Sequence, residues 1–310
     1  MKALVLGGSG FLGSYVVDAL CGEGYQVTAL DRQPERFRGK NEKVEFFQAD
    51  FGNRGELDQI LKRGIDFVFH LVSSTIPQTS NDDPIFDVQS NVVETIALLE
   101  MCVKYTVKRV VFVSSGGTVY GIPEVLPIPE SHQTLPLCSY GVTKLAIEHY
   151  LHLFFVLHGL KYSVLRLSNP YGPRQDPRGR QGAVSVFMSR MLKGEEISVW
   201  GDGSVVRDYI HASDFASACI AVVQSDAVGV YNVGGGAGTS LNELIHALEY
   251  VTGKPARVRY LPGRGFDVPR LYLDCTKIEQ DFGWKPKVEF SIGLAKMSDW
   301  MSAQIAASLF

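Results

Sequence analysis

The chain has 310 residues, 45% of them hydrophobic, with 30 Lys and Arg against 33 Asp and Glu and a formal net charge of −3. The length predicts about two domains at roughly 150 residues each, and this apolar content with low net charge argues against a disordered chain. Because no long block of one charge sign occurs, the composition also argues against a protein that binds nucleic acid through general electrostatics.

Five cysteines, widely spaced and without a C-x-x-C pair, bear on compartment and metal binding. They predict neither a disulfide framework nor a zinc site, and the seven histidines do not cluster at metal-ligand spacing, so no metal is expected. A reducing, cytoplasmic compartment is expected instead. No apolar run reaches the ~18 residues that span a bilayer, so no membrane partner is expected.

Short apolar, β-branched runs alternate with helical patterns along the first half of the chain. The predicted strands are residues 3–6, 26–30, 44–48, 67–71, 110–113 and 163–167. The predicted helices lie near residues 11–22, 54–63, 86–104 and 140–158. Because most strands show little polar alternation, they are typical of strands buried on both faces of a parallel sheet. The repeated strand–helix units predict an α/β fold with a doubly wound parallel sheet (Rossmann).

The amino-acid composition of the sequence changes after Asn169. Residues 169–180 are rich in Pro, Gly and Arg, which predicts an irregular loop, and helices near 183–193, 213–224 and 240–252 follow among short strands. We therefore predict a first, Rossmann domain over residues 1–167, rejoined by about residues 205–235. Residues 168–310 form a second, smaller α/β region.

The first predicted strand leads directly into a glycine-rich turn, in which Gly7, Gly10 and Gly13 form G-x-x-G-x-x-G. Such glycines allow a tight turn, a close approach of the backbone to a pyrophosphate and close helix–sheet packing. The following helix N-terminus offers free N–H groups and a positive dipole end to phosphates. A dinucleotide is therefore the expected ligand of this turn. The alternative is a simple β–α turn that binds no ligand.

Asp31 follows the second predicted strand and can accept hydrogen bonds from the adenosine ribose hydroxyls, which favours NAD over NADP. Arg32 could instead meet a 2′-phosphate, but the adjacent carboxylate would repel that group. The alternative is that Asp31 is only a turn residue at the strand end.

Tyr140 and Lys144 are four residues apart in a predicted helix and therefore project from one face. An ammonium favours the phenolate, so Lys144 is expected to lower the pKa of Tyr140 and make it a general base near neutral pH. A Y-x-x-x-K pair by itself is common, and its simplest interpretation is an exposed helix pair. After a dinucleotide-binding half, the catalytic interpretation is favoured.

Taken together, these motifs resemble those of the extended short-chain dehydrogenase/reductases, and within them the nucleotide-sugar 4-epimerases. The resemblance covers nearly the whole chain. It is carried by Gly7, Gly10, Gly13, Asp31, residues 50–51, Asn91, the SSGGTVYG stretch 114–121, Tyr140, Lys144, residues 169–170, residues 207–209, Arg264 and Asp267. It implies an NAD-dependent isomerase that acts on UDP-hexoses, with UDP-glucose and UDP-N-acetylglucosamine as the expected substrates.

The resemblance also implies roles for individual residues. Asp50 and Phe51 would flank the adenine, Leu71 would lie along the cofactor, and Ser168 would be near the nicotinamide. Asn91 would support the active-site helix. The full set implied for the cofactor is Gly7, Gly10, Phe11, Leu12, Gly13, Asp31, Arg32, Asp50, Phe51, Leu71, Asn91, Ser114, Tyr140, Lys144 and Ser168. The set implied for the sugar nucleotide is Asn169, Arg207 and Arg264 at the diphosphate, Asp267 at the uridine ribose, and Leu271.

The serine-rich stretch departs from the resembling epimerases at Gly116, where they usually carry a Ser or Thr that bonds the reacting sugar oxygen. Ser115 or Thr118 would have to supply this hydroxyl. The resembling 4,6-dehydratases carry an Asp-Glu pair at the positions of Gly117 and Thr118. Because elimination needs such an acid/base pair, an epimerase is favoured over a dehydratase.

Leu271 lies four residues after Asp267, where the resembling 4-epimerases gate the C2 pocket of the sugar. A Tyr there is associated with unsubstituted sugars, so the smaller Leu predicts that N-acetylated sugars fit. Tyr272 is adjacent, and a register shift of one residue would reverse this expectation.

The helices near 86–104 and 140–158 carry apolar residues on more than one face, which predicts either a core of one subunit or a homodimer interface of the kind found in the resembling family. Three alternatives to the epimerase remain open: a 4,6-dehydratase, a 4-keto-sugar reductase, and a non-catalytic NAD-binding sensor. The intact Tyr140 and Lys144 argue against the sensor, whereas Gly116 is its one supporting feature.

Overall fold

The computed structural model describes residues 1–39, 43–179, 182–263 and 268–307. Seven strands form its central sheet: β1 (Lys2–Leu6), β2 (Gln26–Asp31), β3 (Val44–Gln48), β4 (Phe67–His70), β5 (Arg109–Ser115), β6 (Lys161–Leu167) and β10 (Gly229–Val233). Every neighbouring pair is parallel, in the order β10-β6-β5-β4-β1-β2-β3. The predicted doubly wound α/β fold is confirmed.

The helices cover both faces of this sheet, which explains the continuous apolar strands. The helices are α1 (Phe11–Gly22), α2 (Arg54–Leu61), α3 (Pro84–Asp87), α4 (Glu94–Lys104), α5 (Ser139–His158), α6 (Ala183–Lys193), α7 (Ala212–Val223), α8 (Leu241–Thr252), α9 (Thr276–Phe282) and α10 (Phe290–Ala306). One buried cluster holds α1 and α7 against the sheet, and a second holds α2, α4 and α5 against its other face. In the described residues, no helix has the length and apolar character needed to cross a bilayer.

The single helix predicted over 86–104 is wrong in one respect, because α3 and α4 are separated by a π-helical segment, Val88–Val93. One local and one tertiary hydrogen bond accompany the interruption. The Thr95 hydroxyl donates to the Asn91 carbonyl at 2.6 Å, and the Asn91 side chain binds groups outside the helix. Such π-helical insertions occur frequently at functional sites, and local periodicity does not reveal them.

The second region is built from short strands and three packed helices. Its strands are β7 (Asn169–Tyr171), β8 (Glu196–Trp200), β9 (Val206–His211), β11 (Gly238–Ser240), β12 (Arg257–Leu261) and β13 (Arg270–Leu271). Strands β11, β13 and β7 all pair with β9, and β8 pairs with β12. Helices α6, α8 and α10 enclose the apolar cluster of this region. Helix α7 packs against the large sheet and β10 pairs with β6 of that sheet, whereas β9 pairs with β7 in the small sheet.

This topology brings several loops to the carboxyl edge of the large sheet. The glycine turn follows β1, Leu71 follows β4, Ser115 ends β5, and Ser168 follows β6. In open parallel sheets, ligands bind outside this edge. The residues predicted from distant parts of the sequence therefore meet there.

Candidate active site

A cleft of about 660 Å³ runs along the carboxyl edge of the large sheet. Fourteen of the residues predicted from the sequence line it: Gly7, Gly10, Phe11, Leu12, Gly13, Leu71, Ser114, Ser115, Thr118, Tyr140, Lys144, Ser168, Asn169 and Arg207. The cleft therefore joins the glycine turn to the tyrosine–lysine pair and to an arginine from the second region.

Other cleft residues were missed by the sequence analysis: Ser73, Pro77, Gln78, Gln175, Gly182 and Ala183. Residues 73–78 follow the carboxyl end of β4, and that position alone could have identified them. Residues 175 and 182–183 belong to the Pro- and Gly-rich loop and the start of α6, whose approach to the cleft depends on tertiary packing.

The glycine turn is shaped for close backbone approach. Gly7 has φ +85° and donates its N–H to the Leu30 carbonyl at 2.8 Å. A Cβ on Gly13 would lie 1.9 Å from the Gly7 carbonyl oxygen, so no other residue fits there. Helix α1 begins after Gly10 without a side-chain cap. Its N-terminus thus keeps N–H groups and a positive dipole end for a phosphate.

Asp31 ends β2 beside this turn. Its carboxylate accepts hydrogen bonds from Ser9 N at 3.1 Å and Gln33 N at 2.9 Å, which fixes its orientation. The neighbouring Arg32 is exposed. Arg38, which the sequence analysis missed, is largely buried and donates to the Gly8 carbonyl at 3.0 Å. This contact holds the turn from the side of the loop that follows β2.

Asp50, Phe51 and Asn91 lie beside the cleft rather than in its wall. Asp50 accepts from Gly52 N at 2.8 Å, and the Phe51 ring packs 4.8 Å from that of His70 in the core. Asn91 accepts from Ser74 N at 2.9 Å and makes no direct bond to α5. The support expected of Asn91 for the active-site helix therefore passes through another residue.

Lys144 is 5% exposed, and its ammonium donates to the Val113 carbonyl at 2.9 Å. Its Nζ lies 5.5 Å from the centre of the Tyr140 ring, so the two side chains share one face of α5 as predicted. Burial lowers the pKa of Lys144 to about 8, and the negative charges of Asp87 and Glu148 oppose that shift. This ammonium is therefore poised to lose its charge slightly above neutral pH.

The effect expected of Lys144 on the pKa of Tyr140 is opposed by burial of the phenol. Burial raises the pKa of Tyr140 above its ordinary value, and the charges of Cys138 and Asp87 raise it further, while a bond from Ser73 lowers it. The reason is that desolvation of the phenolate outweighs the attraction of an ammonium anchored to the β5 backbone. A positive charge near the phenol oxygen would oppose this effect of burial and favour the phenolate.

Gly116 has no room for a larger side chain. A Cβ there would lie 2.6 Å from Leu273 Cδ1 and 3.2 Å from the Arg166 carbonyl oxygen. Ser115 and Thr118 both line the cleft, but the Thr118 hydroxyl oxygen is buried and has no hydrogen-bond partner among the described residues.

The hydroxyl of Ser114 is engaged inside the protein. It donates to Glu148 Oε1, and Glu148 is paired with Arg166 at 2.7 Å in a salt bridge that is almost fully buried. Arg166 in turn lies 4.8 Å over the Tyr120 ring. The network ties β5, β6 and α5 together directly beneath the cleft.

A second cavity of about 220 Å³ continues the cleft into the second region and shares with it Asn169, Pro170, Gly182, Ala183 and Arg207. Val184, Trp200, Val205, Tyr209 and Leu241 complete its wall. The Asn169 amide donates to the Asp208 carbonyl at 2.9 Å, and Arg207 donates to the Val268 carbonyl at 2.7 Å. The two cavities therefore form one continuous space, with the Arg207 side chain at their junction.

Three predicted substrate residues are not seen in these walls. Arg264 and Asp267 lie outside the described residues. Leu271 is 2% exposed and packs in an apolar cluster with Val119, Ile128 and Leu273, so its side chain lies behind the cavities rather than in their lining.

Comparisons with known proteins agree with this geometry. A family model described as the NAD dependent epimerase/dehydratase family matches residues 3–234. The UDP-glucose 4-epimerase of Mycolicibacterium smegmatis is 36% identical over 303 residues, covering 96% of this chain and 97% of that protein. The crystal structure of the UDP-glucose 4-epimerase of Thermotoga maritima with UDP-glucose has a TM-score of 0.94 and 37% identity, covering 98% of this chain and 100% of that one. The crystal structure of the Thermus thermophilus UDP-glucose 4-epimerase in complex with NAD has a TM-score of 0.90 and 35% identity, covering 97% of this chain and 99% of that one.

Proposed function

The chain belongs to the NAD dependent epimerase/dehydratase family, and on that premise we propose that it is an NAD-dependent isomerase that inverts C4 of UDP-hexoses. The observation that carries the proposal is the chemistry of the cleft wall: among its described residues, Tyr140 and Lys144 are present and no Asp or Glu occurs. An oxidation–reduction at C4 needs a general base, which the Tyr140 phenol can provide, whereas elimination of water needs a further acid/base pair, for which carboxyl groups are well suited. The cleft is therefore equipped for epimerisation and not for dehydration.

The residues at the glycine turn fit NAD. The uncapped N-terminus of α1 suits its pyrophosphate, and Asp31 suits the 2′- and 3′-hydroxyls of the adenosine ribose. Lys144 donates one hydrogen bond to the Val113 carbonyl, and its ammonium has further N–H donors for the nicotinamide ribose. When bound, NAD supplies a reversible hydride acceptor for C4 and a positively charged nicotinamide ring.

Tyr140 is the proposed general base and acid. It takes the proton from the C4 hydroxyl as the hydride leaves C4, which produces a 4-keto sugar. The sugar then turns within the cleft, the hydride returns to the opposite face of C4, and Tyr140 gives the proton back. The positive nicotinamide ring and Lys144 both favour the phenolate and oppose the effect of burial on the Tyr140 pKa.

Arg207 is proposed to bind the diphosphate, because it stands where the two cavities join and a guanidinium can contact phosphate oxygens in a bidentate manner. Asn169 is proposed to assist it. Anchoring the substrate at its diphosphate leaves the hexose free to turn. Gly117, which adds no side chain to the cleft wall, is compatible with that rotation.

We assign the hydroxyl that assists at O4 to Ser115. Both Ser115 and Thr118 line the cleft, but the inaccessible oxygen of Thr118 favours Ser115. Ser115→Ala is expected to lower kcat by about 10- to 100-fold, as for the loss of one hydrogen bond to a developing charge. Thr118→Val, which keeps the shape of the side chain, is the matched control, and an equal loss in both variants would contradict the assignment.

The acceptance of N-acetylated sugars remains a prediction from Leu271. It is tested by comparing kcat/KM for UDP-N-acetylglucosamine and UDP-glucose in the wild type and in Leu271→Tyr. The larger residue is expected to lower the ratio of these values, and an unchanged ratio would show that this position does not select the sugar.

A homodimer is proposed through α3 and α5. Val142, Leu153, Val156 and Leu157 form an exposed apolar stripe at helical spacing on α5, and Ile85 is 71% exposed on the adjacent α3. Light scattering during size-exclusion chromatography is expected to give twice the chain mass, and Val156→Lys is expected to give the monomer. A reducing, cytoplasmic compartment is also proposed, since all five cysteines are free thiols.

The central experiment is to incubate the purified protein with UDP-glucose, and separately with UDP-N-acetylglucosamine, and to follow the sugar by proton NMR with and without added NAD. A product inverted at C4 is expected. A 4-keto-6-deoxy product would instead identify a dehydratase. Bound NAD without turnover of either sugar would contradict the proposal and favour a sensor.

A further inference from the structure

Asp87, at the end of α3, is a fully buried carboxylate (0% exposed) beside the active site. Its Oδ1 accepts from the Thr75 hydroxyl and from the Asn91 amide at 2.9 Å. Its Oδ2 accepts from the Ser139 hydroxyl at 2.6 Å and from the Thr143 hydroxyl at 3.4 Å. All four donors are neutral, and they come from three separate segments of the chain.

These contacts join the cleft loop to the catalytic helix. Thr75 belongs to the loop after β4, whose Ser73 lines the cleft, whereas Ser139 and Thr143 stand on either side of Tyr140 in the first turns of α5. Asn91, which the sequence analysis expected to support α5, binds Asp87 instead. Asp87 is thus the link through which the π-helical segment and the loop hold the position of Tyr140.

The surroundings of the Asp87 carboxyl group contain no cationic partner in the described residues. No Lys, Arg or His within the described part of the chain forms an ion pair with it. Burying an unpaired carboxylate is costly, and a neutral amide of the same shape could make contacts with the same hydroxyls. The catalytic groups close enough to sense its charge are Tyr140 and Lys144, both of which respond to it.

Other ionisable groups face the same pair. Glu148, one turn further along α5, acts on Lys144 but is already paired with Arg166. The Cys138 thiol precedes α5 and acts on Tyr140. His70 on β4 is buried, and its pKa is lowered to about 3, so it is neutral and adds no charge. Asp87 is therefore the carboxylate without a salt bridge that acts on both members of the pair.

We propose that Asp87 is a positioning residue of the epimerisation, which holds the first turns of α5 through Ser139 and Thr143 and places a buried carboxyl group beside the Tyr140–Lys144 pair. The inference rests on the proposed function for its kinetic consequence. Its electrostatic consequence can be measured without turnover.

Three variants separate the two parts of the role. Asp87→Asn keeps the shape and removes the charge. Ser139→Ala keeps the charge and removes one tie to α5. Asp83→Asn is the matched control, because Asp83 is the exposed N-cap residue of the same short helix and its carboxylate accepts a hydrogen bond from Phe86 N.

The pH profile of kcat/KM provides the first readout. Removing a negative charge favours the phenolate of Tyr140 and the neutral amine of Lys144, so Asp87→Asn is expected to move both limbs to lower pH by about one unit. Ser139→Ala is expected to lower kcat several-fold at every pH without moving the limbs, and Asp83→Asn to behave as the wild type. If Asp87→Asn lowers kcat/KM equally at every pH and displaces neither limb of the profile, then the electrostatic role is overturned.

The second readout is the titration of Lys144 itself, followed by NMR of protein with 13C-labelled lysine and assigned with Lys144→Arg. The midpoint near pH 8 is expected to fall by about one unit in Asp87→Asn and to stay in place in Asp83→Asn. An unchanged midpoint in folded Asp87→Asn, checked by circular dichroism, would overturn the proposal. Absence of epimerase activity in the wild type would refute the proposed function alone, since this titration would still decide the effect of Asp87.

Discussion

Replacing Gly116 by Ser is expected to destabilise the protein. The new Cβ would lie 2.6 Å from Leu273 Cδ1 and 3.1 Å from Cδ2, and Leu273 is fully buried. Since nonbonded carbons prefer about 3.5–4.0 Å, Leu273 has to move by about 1 Å inside a packed cluster. Overpacking of this kind costs about 1–3 kcal/mol, which lowers Tm by about 2–4 °C for each kcal/mol in a protein of this size.

The assay is chemical denaturation or calorimetry of Gly116→Ser beside two comparison variants. Gly117→Ser is the matched control, because its Cβ would meet only Ser115 Oγ at 3.8 Å, and its free energy of unfolding is expected to stay within about 0.5 kcal/mol of the wild type. In a Leu273→Ala background, which by itself costs about 2–5 kcal/mol, the further substitution Gly116→Ser is expected to cost less than in the wild type. If Gly116→Ser is as stable as Gly117→Ser, or if the two effects are additive, then the steric argument is incorrect.

Three further predictions concern the site and its surroundings. Tyr140→Phe is expected to lower kcat by at least about 1000-fold while the amount of NAD released from the denatured protein stays unchanged; near-normal turnover would exclude the phenol as the base. Arg207→Ala removes a charged contact to the diphosphate and is expected to raise KM for UDP-glucose by about 10- to 100-fold without loss of NAD. Burial raises the pKa of Asp208 to about 6 from 3.8, so its contribution to stability, up to about 3 kcal/mol, is complete below pH 3.8 and is lost as the pH rises through 6. The difference in unfolding free energy between the wild type and Asp208→Asn is therefore expected to shrink from pH 4 to pH 7, and a constant difference would contradict this linkage.

The central sheet was predictable because its strands are uninterrupted apolar runs, as required where helices cover both faces. Strand β5 is nevertheless longer than predicted. Arg109 and Ser115 extend it, since the Arg109 guanidinium finds carbonyl partners at the end of α7 and Ser115 pairs with Leu167 of β6. Because Arg109 is charged, the apolar pattern of the strand could not predict that it is buried there. Its burial is explained by hydrogen-bond partners that are distant in sequence.

The π-helical segment also could not be predicted from the local sequence. Asp87, Asn91 and Thr95 recur every four residues, which is the spacing expected along an ordinary helix face. The interruption between α3 and α4 places Asn91 and Asp87 against the loop after β4 and the start of α5. Because those partners are distant in sequence, no local pattern indicated that Asp87 would be buried beside Tyr140.

The sequence by itself determined the parallel α/β sheet, the glycine turn with Asp31, and the Tyr140–Lys144 pair, because each depends on residue type at short spacing. Only the tertiary structure decided how the site works. In the folded protein, Leu273 packs so close to Gly116 that no larger residue fits there. Burial raises the pKa of Tyr140. The fold also brings Arg207 from the second region to the cleft. These properties depend on which distant side chains pack together and on how much water they exclude, and neither quantity is encoded by local periodicity.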